Sequence, residues 1–353
     1  MNSLAFHLVE QTENLRAALA RLNKIAGGHH KQVLFVVNEN QQVVGAITDG
    51  DIRRALISGK ELTISVKEIM FKNFRFFTQG QSNLIHLIKE LKKEEIFLLP
   101  ELNDQKQLTS IYDLKTLKSI LPVDAVLMAG GEGKRLLPLT ENTPKPLLKV
   151  GNQPIISYNI NRLLSFHVKR QYFTLNYLGK QIQDYIEAEF SDKLDTQYIF
   201  ETQKLGTAGS LKLIDNFSND VILVMNSDLL TTIDFEAFYL FFKDQNADMA
   251  VASIPYQVKV PYAIMDVKNN EVNNFQEKPV FNYYSNAGIY LIKKELLDLI
   301  PENQFFDATD LMQAVINNKK KLVSFPIRHY WLDIGKPEDF ERANEDVKYL
   351  RFN

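Results

Sequence analysis

Between Leu127 and Leu148 the chain reads LMAGGEGKRLLPLTENTPKPLL, which gathers three glycines, two adjacent cations and a lysine framed by prolines. Gly130, Gly131 and Gly133 allow a turn whose bare backbone N–H groups approach phosphate oxygens, where side chains would block the contact. Lys134 and Arg135 add positive charge, and the planar fork of Arg135 suits bidentate contact with phosphate. Pro144 and Pro146 stiffen the backbone on either side of Lys145, so its ammonium is aimed. Together these residues suit a nucleoside triphosphate held for attack. Generic phosphate motifs do not fit. A Walker A loop needs G-x-x-x-x-G-K-[ST], but Met128 stands at the first glycine and Arg135 follows Lys134. A dinucleotide fingerprint would need a small residue at Leu136.

Chemistry on a triphosphate calls for a divalent cation, and Mg²⁺ characteristically takes one or two carboxylates plus phosphate oxygens. Asp228 is the first candidate ligand, because the apolar run Val221 to Met225 reads as a strand that ends in Asn226-Ser227-Asp228. Asp333 is the second, in Tyr330-Trp331-Leu332-Asp333-Ile334-Gly335, beside the only tryptophan. A D-x-D pair is missing at Asn226-Ser227-Asp228, which argues against a glycosyltransferase reading. Glu201 lies upstream of Leu205-Gly206-Thr207-Ala208-Gly209. An ionised carboxylate only accepts hydrogen bonds, which suits the adjacent donors of guanine; uracil and thymine present one donor between two carbonyls. The expectation is GTP, with UTP and dTTP as alternatives.

These groups need rigid elements behind them. From Val123 onward the pattern alternates: Val123 to Ala129 as a buried strand, Ile155 to Phe166 as a helix, Gln171 to Leu175 as a strand and Gly179 to Glu189 as a helix. That is an α/β rhythm, in which ligands bind at the carboxyl ends of strands. Upstream, residues 1–120 carry an internal repeat of helix, two strands and acidic turn. Leu15, Leu19, Leu22 and Ile25 mark one helix face, followed by strands at Val33 to Asn38 and Val43 to Thr48. In the second copy Leu84, Leu87, Ile88 and Leu91 recur at helical spacing, followed by strands at Ile96 to Leu99 and Leu108 to Ile111. Both copies end in [ST]-x-x-D, Thr48 to Asp51 and Ser110 to Asp113, 62 residues apart. A hydroxyl three residues before a carboxylate is also a helix-capping pattern.

Taken whole, the segment from Leu127 to Leu148 resembles the signature of the sugar nucleotidyltransferases, or sugar-1-phosphate pyrophosphorylases, in which L-A-G-G-x-G-T-R-L precedes P-K-P. Lys134 departs from the usual threonine. The resemblance implies a Rossmann-like, GT-A-type α/β domain with a mixed central sheet over residues 121–353. It implies that Leu127, Ala129, Gly130, Gly131, Gly133 and Lys134 bind the nucleotide, that Arg135, Lys145 and Lys278 act on the reacting phosphates, and that Asp228 and Asp333 bind Mg²⁺. Leu205 to Gly209 resembles the base-binding segment of guanylyltransferase members, which assigns Gly206 and Thr207 to the nucleotide beside Glu201. Glu277-Lys278-Pro279 resembles the family's E-K-P turn and Asn286-Ala287-Gly288-Ile289-Tyr290 its N-A-G-x-Y strand. Glu277, Lys278 and Asn286 would then meet the sugar phosphate together with Lys145. Ala263, after Tyr262, replaces a common glycine in that pocket.

The N-terminal half is similar to a tandem CBS pair, whose G-x-x-[ST]-x-x-D turn contacts adenine nucleotides. Gly45 to Asp51 fits that pattern, which implies phosphate contact by Thr48 and ribose contact by Asp51. The second copy has Gln107 at the glycine position, with Ser110 and Asp113 as its candidates. AMP or ATP is the regulatory ligand so implied, and CBS pairing implies a homo-oligomer, at least a dimer. Similar CBS-fused members serve surface-glycan pathways, including GDP-glucosamine formation on the way to legionaminic acid. Glucosamine 1-phosphate is therefore the leading acceptor and mannose 1-phosphate the nearest alternative. A reading of another class is an adenine-nucleotide sensor whose second half binds without turnover.

Composition agrees with a multi-domain enzyme. The 353 residues and 45% hydrophobic content suffice for two or three cores. With 41 basic against 43 acidic residues, the net charge of -2 gives no electrostatic basis for nucleic-acid binding. The absence of cysteine excludes disulfides, thiolate metal sites and cysteine nucleophiles. No apolar run approaches membrane-spanning length, so the expected setting is the cytoplasm, away from membrane.

Overall fold

A computed structural model of the chain describes residues 3–25, 33–78 and 83–352. Contacts gather into two compact units, Met1–Ile120 and Leu121–Asn353.

The first unit contains two three-stranded sheets of the same design. Leu8–Glu10 pairs parallel with Val33–Val37, which pairs antiparallel with Val43–Thr48. Phe77–Thr78 pairs parallel with Leu98–Leu102, which pairs antiparallel with Leu108–Asp113. The hairpin turns match as well: Asn38 Nδ2 donates to Gln42 Oε1 at 3.0 Å, and Asn103 Nδ2 donates to Gln107 Oε1 at 3.2 Å. Each turn also donates to the other, Gln42 Nε2 to Gln105 O and Gln107 Nε2 to Asn40 O. Gln107 is thus a turn residue equivalent to Gln42. Helices Leu15–Ile25 and Leu84–Lys93 bury the faces expected from their periodicity, and Phe35, Val37, Val43 and Leu102 share one cluster between the sheets.

This register corrects the second acidic turn. Val33 and Leu98 open equivalent strands, and the paired strands end at Thr48 and Asp113, so the repeat runs at 65 residues. Asp113 therefore occupies the position of Thr48, and Ser110 that of Gly45. Ser110 and Asp113 lie within one strand, and with a side-chain period of two an offset of three puts them on opposite faces. They cannot form a single capping turn. The first copy does form one: Thr48 is the N-cap of helix Asp49–Ile57, and its hydroxyl lies 2.7 Å from Asp51 Oδ2. The second-copy strand expected at Ile96 to Leu99 also sits later, at Leu98–Leu102.

The second unit is built on a seven-stranded mixed sheet. From one edge the order is Asp195–Phe200, Arg170–Leu175, Asp124–Met128, Val221–Asn226, Val280–Lys293, Met249–Lys259 and Leu322–Pro326. The first four are mutually parallel, and Val280–Lys293 runs antiparallel to both its neighbours. Ala125, Val126 and Leu127 are fully buried, as expected for a strand covered on both faces. Helix Ala308–Asn317 packs Leu311 and Val315 against Val126, Val224 and Tyr290. A short ladder pairs Leu229–Thr231 with Trp331–Asp333, antiparallel. Among the described residues no helix is long and apolar enough to cross a membrane.

Candidate active site

The four parallel strands deliver their carboxyl ends to one cleft of about 440 Å³. Met128 leads into the glycine turn, Leu175 into Asn176, Phe200 into Glu201, and Asn226 into Asp228; all of these turns line the cleft. Ala129, Gly130, Gly131, Gly133 and Lys134 form one wall, and Glu201, Gly206 and Thr207 another. Leu127 is fully buried in the strand and supports the turn from beneath without presenting its side chain to the cleft. Gly133 has φ +65°, and a Cβ there would lie 2.9 Å from Thr140 Cγ2, so both conformation and space demand glycine. A Cβ at Gly131 would meet no atom within 4 Å, which marks that glycine as the one open to an incoming group.

Two carboxylates and an ammonium form the charged centre. The ladder places Leu229 opposite Asp333, which brings Asp228 and Asp333 together despite their separation in sequence. Lys145 Nζ donates to Asp228 Oδ2 and lies 3.7 Å from Asp333 Oδ1. Lys145 is itself buried. The turn that carries Asp228 is fixed from below: buried Asn159 donates to Ser227 O at 3.2 Å and Leu229 O at 3.0 Å, and Ser227 Oγ donates to Met128 O at 2.7 Å. Burial, and next the charge of Asp228, push the Asp333 carboxyl above its ordinary range, against the opposing pull of Lys145 and Arg135. Asp228 Oδ1 and Asp333 Oδ1 are buried without a hydrogen-bond partner among the described residues. Two such orphaned oxygens fit a divalent cation that completes its shell with phosphate oxygens and water. Arg135 stands beside this centre, its guanidinium against Gly335, but does not line the cleft.

The wall of Glu201, Gly206 and Thr207 is held by a residue that the sequence reading missed. Asp307 accepts from Thr207 N at 2.9 Å and Thr207 Oγ1 at 3.2 Å, and Thr207 Oγ1 in turn accepts from Ala308 N at 2.7 Å. This pins the Gly206–Gly209 turn to the start of helix Ala308–Asn317. Gly206, with φ +75°, has no room for a Cβ, which would fall 2.8 Å from Asp307 Oδ1. Glu201 is half-buried, accepts from Leu205 N at 3.3 Å, and has its carboxyl shifted upward by burial. Lys204 was missed too: it lies 2.5 Å from Glu132, which also pairs with Lys134 at 2.9 Å. These two lysines hold the Glu132 carboxyl down at about 2.

The sugar-side candidates are not brought to this cleft. Glu277 and Lys278 form an exposed turn and lie 3.9 Å from each other, and Ala263 is exposed as well. None of the three lines the cleft, because they belong to a long β-arm that extends beyond the sheet core. Asn286 is engaged within its own strand, donating to Tyr290 Oη at 2.8 Å and accepting from Gly288 N at 2.9 Å.

Two segments of the chain match known families. The nucleotidyl transferase family model matches residues 124–349, and the CBS domain model matches residues 5–58. A mannose-1-phosphate guanyltransferase of Yarrowia lipolytica is 30% identical over 224 residues, 61% of this chain and 61% of that protein. A putative mannose-1-phosphate guanyltransferase of Sulfolobus acidocaldarius is 28% identical over 235 residues, 65% of this chain and 64% of that protein. The chain thus spans somewhat less than two thirds of the length of these relatives. A putative glucose-1-phosphate thymidylyltransferase from Bacillus anthracis shares the fold, with a TM-score of 0.54 at 22% identity, over 65% of this chain and 97% of its own. HddC from Yersinia pseudotuberculosis has a TM-score of 0.50 at 25% identity, over 64% and 99%. With a glycine turn, paired aspartates and mixed sheet inside the matched segment, the chain belongs to the nucleotidyl transferase family and carries a CBS domain at its N-terminal end.

Proposed function

We propose that the chain is a sugar-1-phosphate nucleotidyltransferase that uses GTP. An oxygen of the sugar 1-phosphate attacks the α-phosphorus, the α–β anhydride bond breaks, pyrophosphate leaves, and an NDP-sugar forms. The observation that carries this reading is the convergence of the glycine turn, Glu201, Lys145 and Asp228 on one cleft, with Asp333 beside Lys145. No protein nucleophile is required, so the work is positioning and charge stabilisation. The backbone of Gly130, Gly131 and Gly133 cradles the triphosphate, and Lys145 screens the two anionic reactants. Arg135 stabilises the departing pyrophosphate, and Lys278 pairs with the sugar phosphate once the arm reaches it. Asp228 and Asp333 would hold a divalent cation, Mg²⁺ in this reading, whose charge neutralises phosphate oxygens.

Glu201, an acceptor in the base-side wall, supports guanine, as do the guanyltransferase names of the relatives. Glucosamine 1-phosphate is the acceptor of the primary reading, within surface-glycan synthesis. The relatives' names favour mannose 1-phosphate as a second. Regulation by AMP or ATP falls to the first CBS copy, where a nucleotide would have to replace the internal Thr48–Asp51 contact. Pyrophosphate release measured for four NTPs against glucosamine, mannose, glucose and N-acetylglucosamine 1-phosphates tests the proposal. Release restricted to GTP with one hexose phosphate is expected, and no release from any pair overturns it.

A further inference from the structure

One aromatic ring borders the cleft, and no step of the proposed reaction uses it. Phe305 is 61% exposed and lines the cleft together with Glu201, Gly206, Thr207 and Asp307. Among the described residues that line the cleft it is the only aromatic one. A single exposed phenylalanine is ordinary on an outer surface, but the backbone beneath this ring is fixed. Phe306 N donates to Leu205 O at 2.8 Å, and Phe306 O accepts from Ala208 N at 2.9 Å and Gly209 N at 2.8 Å. The same segment is packed against two glycines: a Cβ at Gly209 would fall 2.8 Å from Gln304 O, and one at Gly206 2.8 Å from Phe306 O. The Phe306 side chain packs on the hydrophobic core, while its neighbour Phe305 lies on the cleft side. Leu205 joins this segment to Glu201. Its N–H donates to Glu201 Oε2 at 3.3 Å, and its carbonyl accepts from Phe306 N. The carboxylate and the ring therefore stand on backbone that meets at one residue.

We propose that Phe305 is the stacking platform for the guanine base, its ring against the face of the base while Glu201 accepts from the edge. The proposal rests on the reading of this cleft as a GTP site. Every base has a π-face, and removing an aromatic partner weakens binding by about 5- to 100-fold per base. A purine covers more of the ring than a pyrimidine does, so Phe305 favours guanine over uracil and thymine by area, whereas Glu201 selects by hydrogen bonding. Face and edge are read by different side chains.

The test follows GTP binding to the full chain with Mg²⁺ by calorimetry, without sugar phosphate, and pyrophosphate release in parallel. Phe305→Ala should weaken GTP binding and raise KM by about 5- to 100-fold with kcat little changed. Phe305→Tyr keeps the ring and should bind GTP as wild type does. Inorganic tripolyphosphate has no base and should bind wild type and Phe305→Ala equally. In Phe305→Trp, GTP should quench the added indole fluorescence and tripolyphosphate should not, with the wild-type chain as the Trp331 background. Unchanged GTP affinity in Phe305→Ala overturns the proposal. So does a matching loss of tripolyphosphate binding, or a Phe305→Tyr as weak as Phe305→Ala. If GTP binds through Phe305 but no pyrophosphate is released, the platform stands and the reaction fails. Normal turnover of Phe305→Ala with an unchanged KM gives the reverse, and a wild-type chain that binds no GTP overturns both.

Discussion

Replacing Lys145 by methionine separates the structural from the chemical role of the charged centre. Lys145 is buried and is the ammonium shared by Asp228 and Asp333, so its loss leaves two carboxylates facing each other. Removing one partner of a buried ion pair costs about 3–5 kcal/mol. The Asp333 side chain is 42% exposed and that of Asp228 23%, so solvent screens part of this and about 2–3 kcal/mol is expected. For a unit of this size, that lowers the melting temperature by roughly 4–12 °C. Adding Asp228→Asn removes one of the unbalanced charges and should recover at least half of the loss, because residues in direct contact couple strongly. Turnover should stay low in both variants. Thermal melts of wild type, both single variants and the double variant, with pyrophosphate release measured in parallel, supply the comparison. If Lys145→Met melts with wild type, or if the double variant is no more stable than Lys145→Met alone, the shared-ammonium account fails.

Three further outcomes follow from the same geometry. Glu201→Gln should weaken discrimination for GTP over UTP and dTTP by about 10- to 100-fold in kcat/KM, the scale of a hydrogen bond to a charged group; an unchanged ratio removes Glu201 from base selection. Arg135→Ala, at an exposed site beside Asp333, should lower kcat by roughly 10²- to 10³-fold while shifting stability by less than about 0.5 kcal/mol; near-normal turnover rejects its role. Burial, aided by Lys169, holds the His167 imidazole at about 4. With the folded pKa depressed, its stabilisation is full above the unfolded pKa of about 6.5 and declines as pH falls toward 4, by on the order of 1 kcal/mol at pH 5.5; His167→Asn should flatten that part of the stability profile, and an unchanged slope would assign it elsewhere.

The parts legible in the sequence were those with local causes. Val221 to Met225 is a strand because a short apolar run fits a covered parallel sheet, and its end places Asp228 at a ligand-binding edge. The Leu15–Ile25 helix followed from its periodicity. What escaped depended on long-range pairing. Asp307 meets Thr207 across 100 residues and reads in sequence only as the start of a helix. Asn176 follows a strand as Asp228 does, so the same rule would have found it. The second [ST]-x-x-D was misplaced because two similar strands admit a three-residue slip that only the hairpin register resolves.

The fate of isotope in the product tests the central claim most directly. A sugar 1-phosphate labelled with ¹⁸O in its phosphoryl oxygens, incubated with GTP and Mg²⁺, should yield a GDP-sugar that retains all of the label and pyrophosphate that carries none. Label appearing in pyrophosphate, or no GDP-sugar at all, would contradict attack by the sugar phosphate on the α-phosphorus.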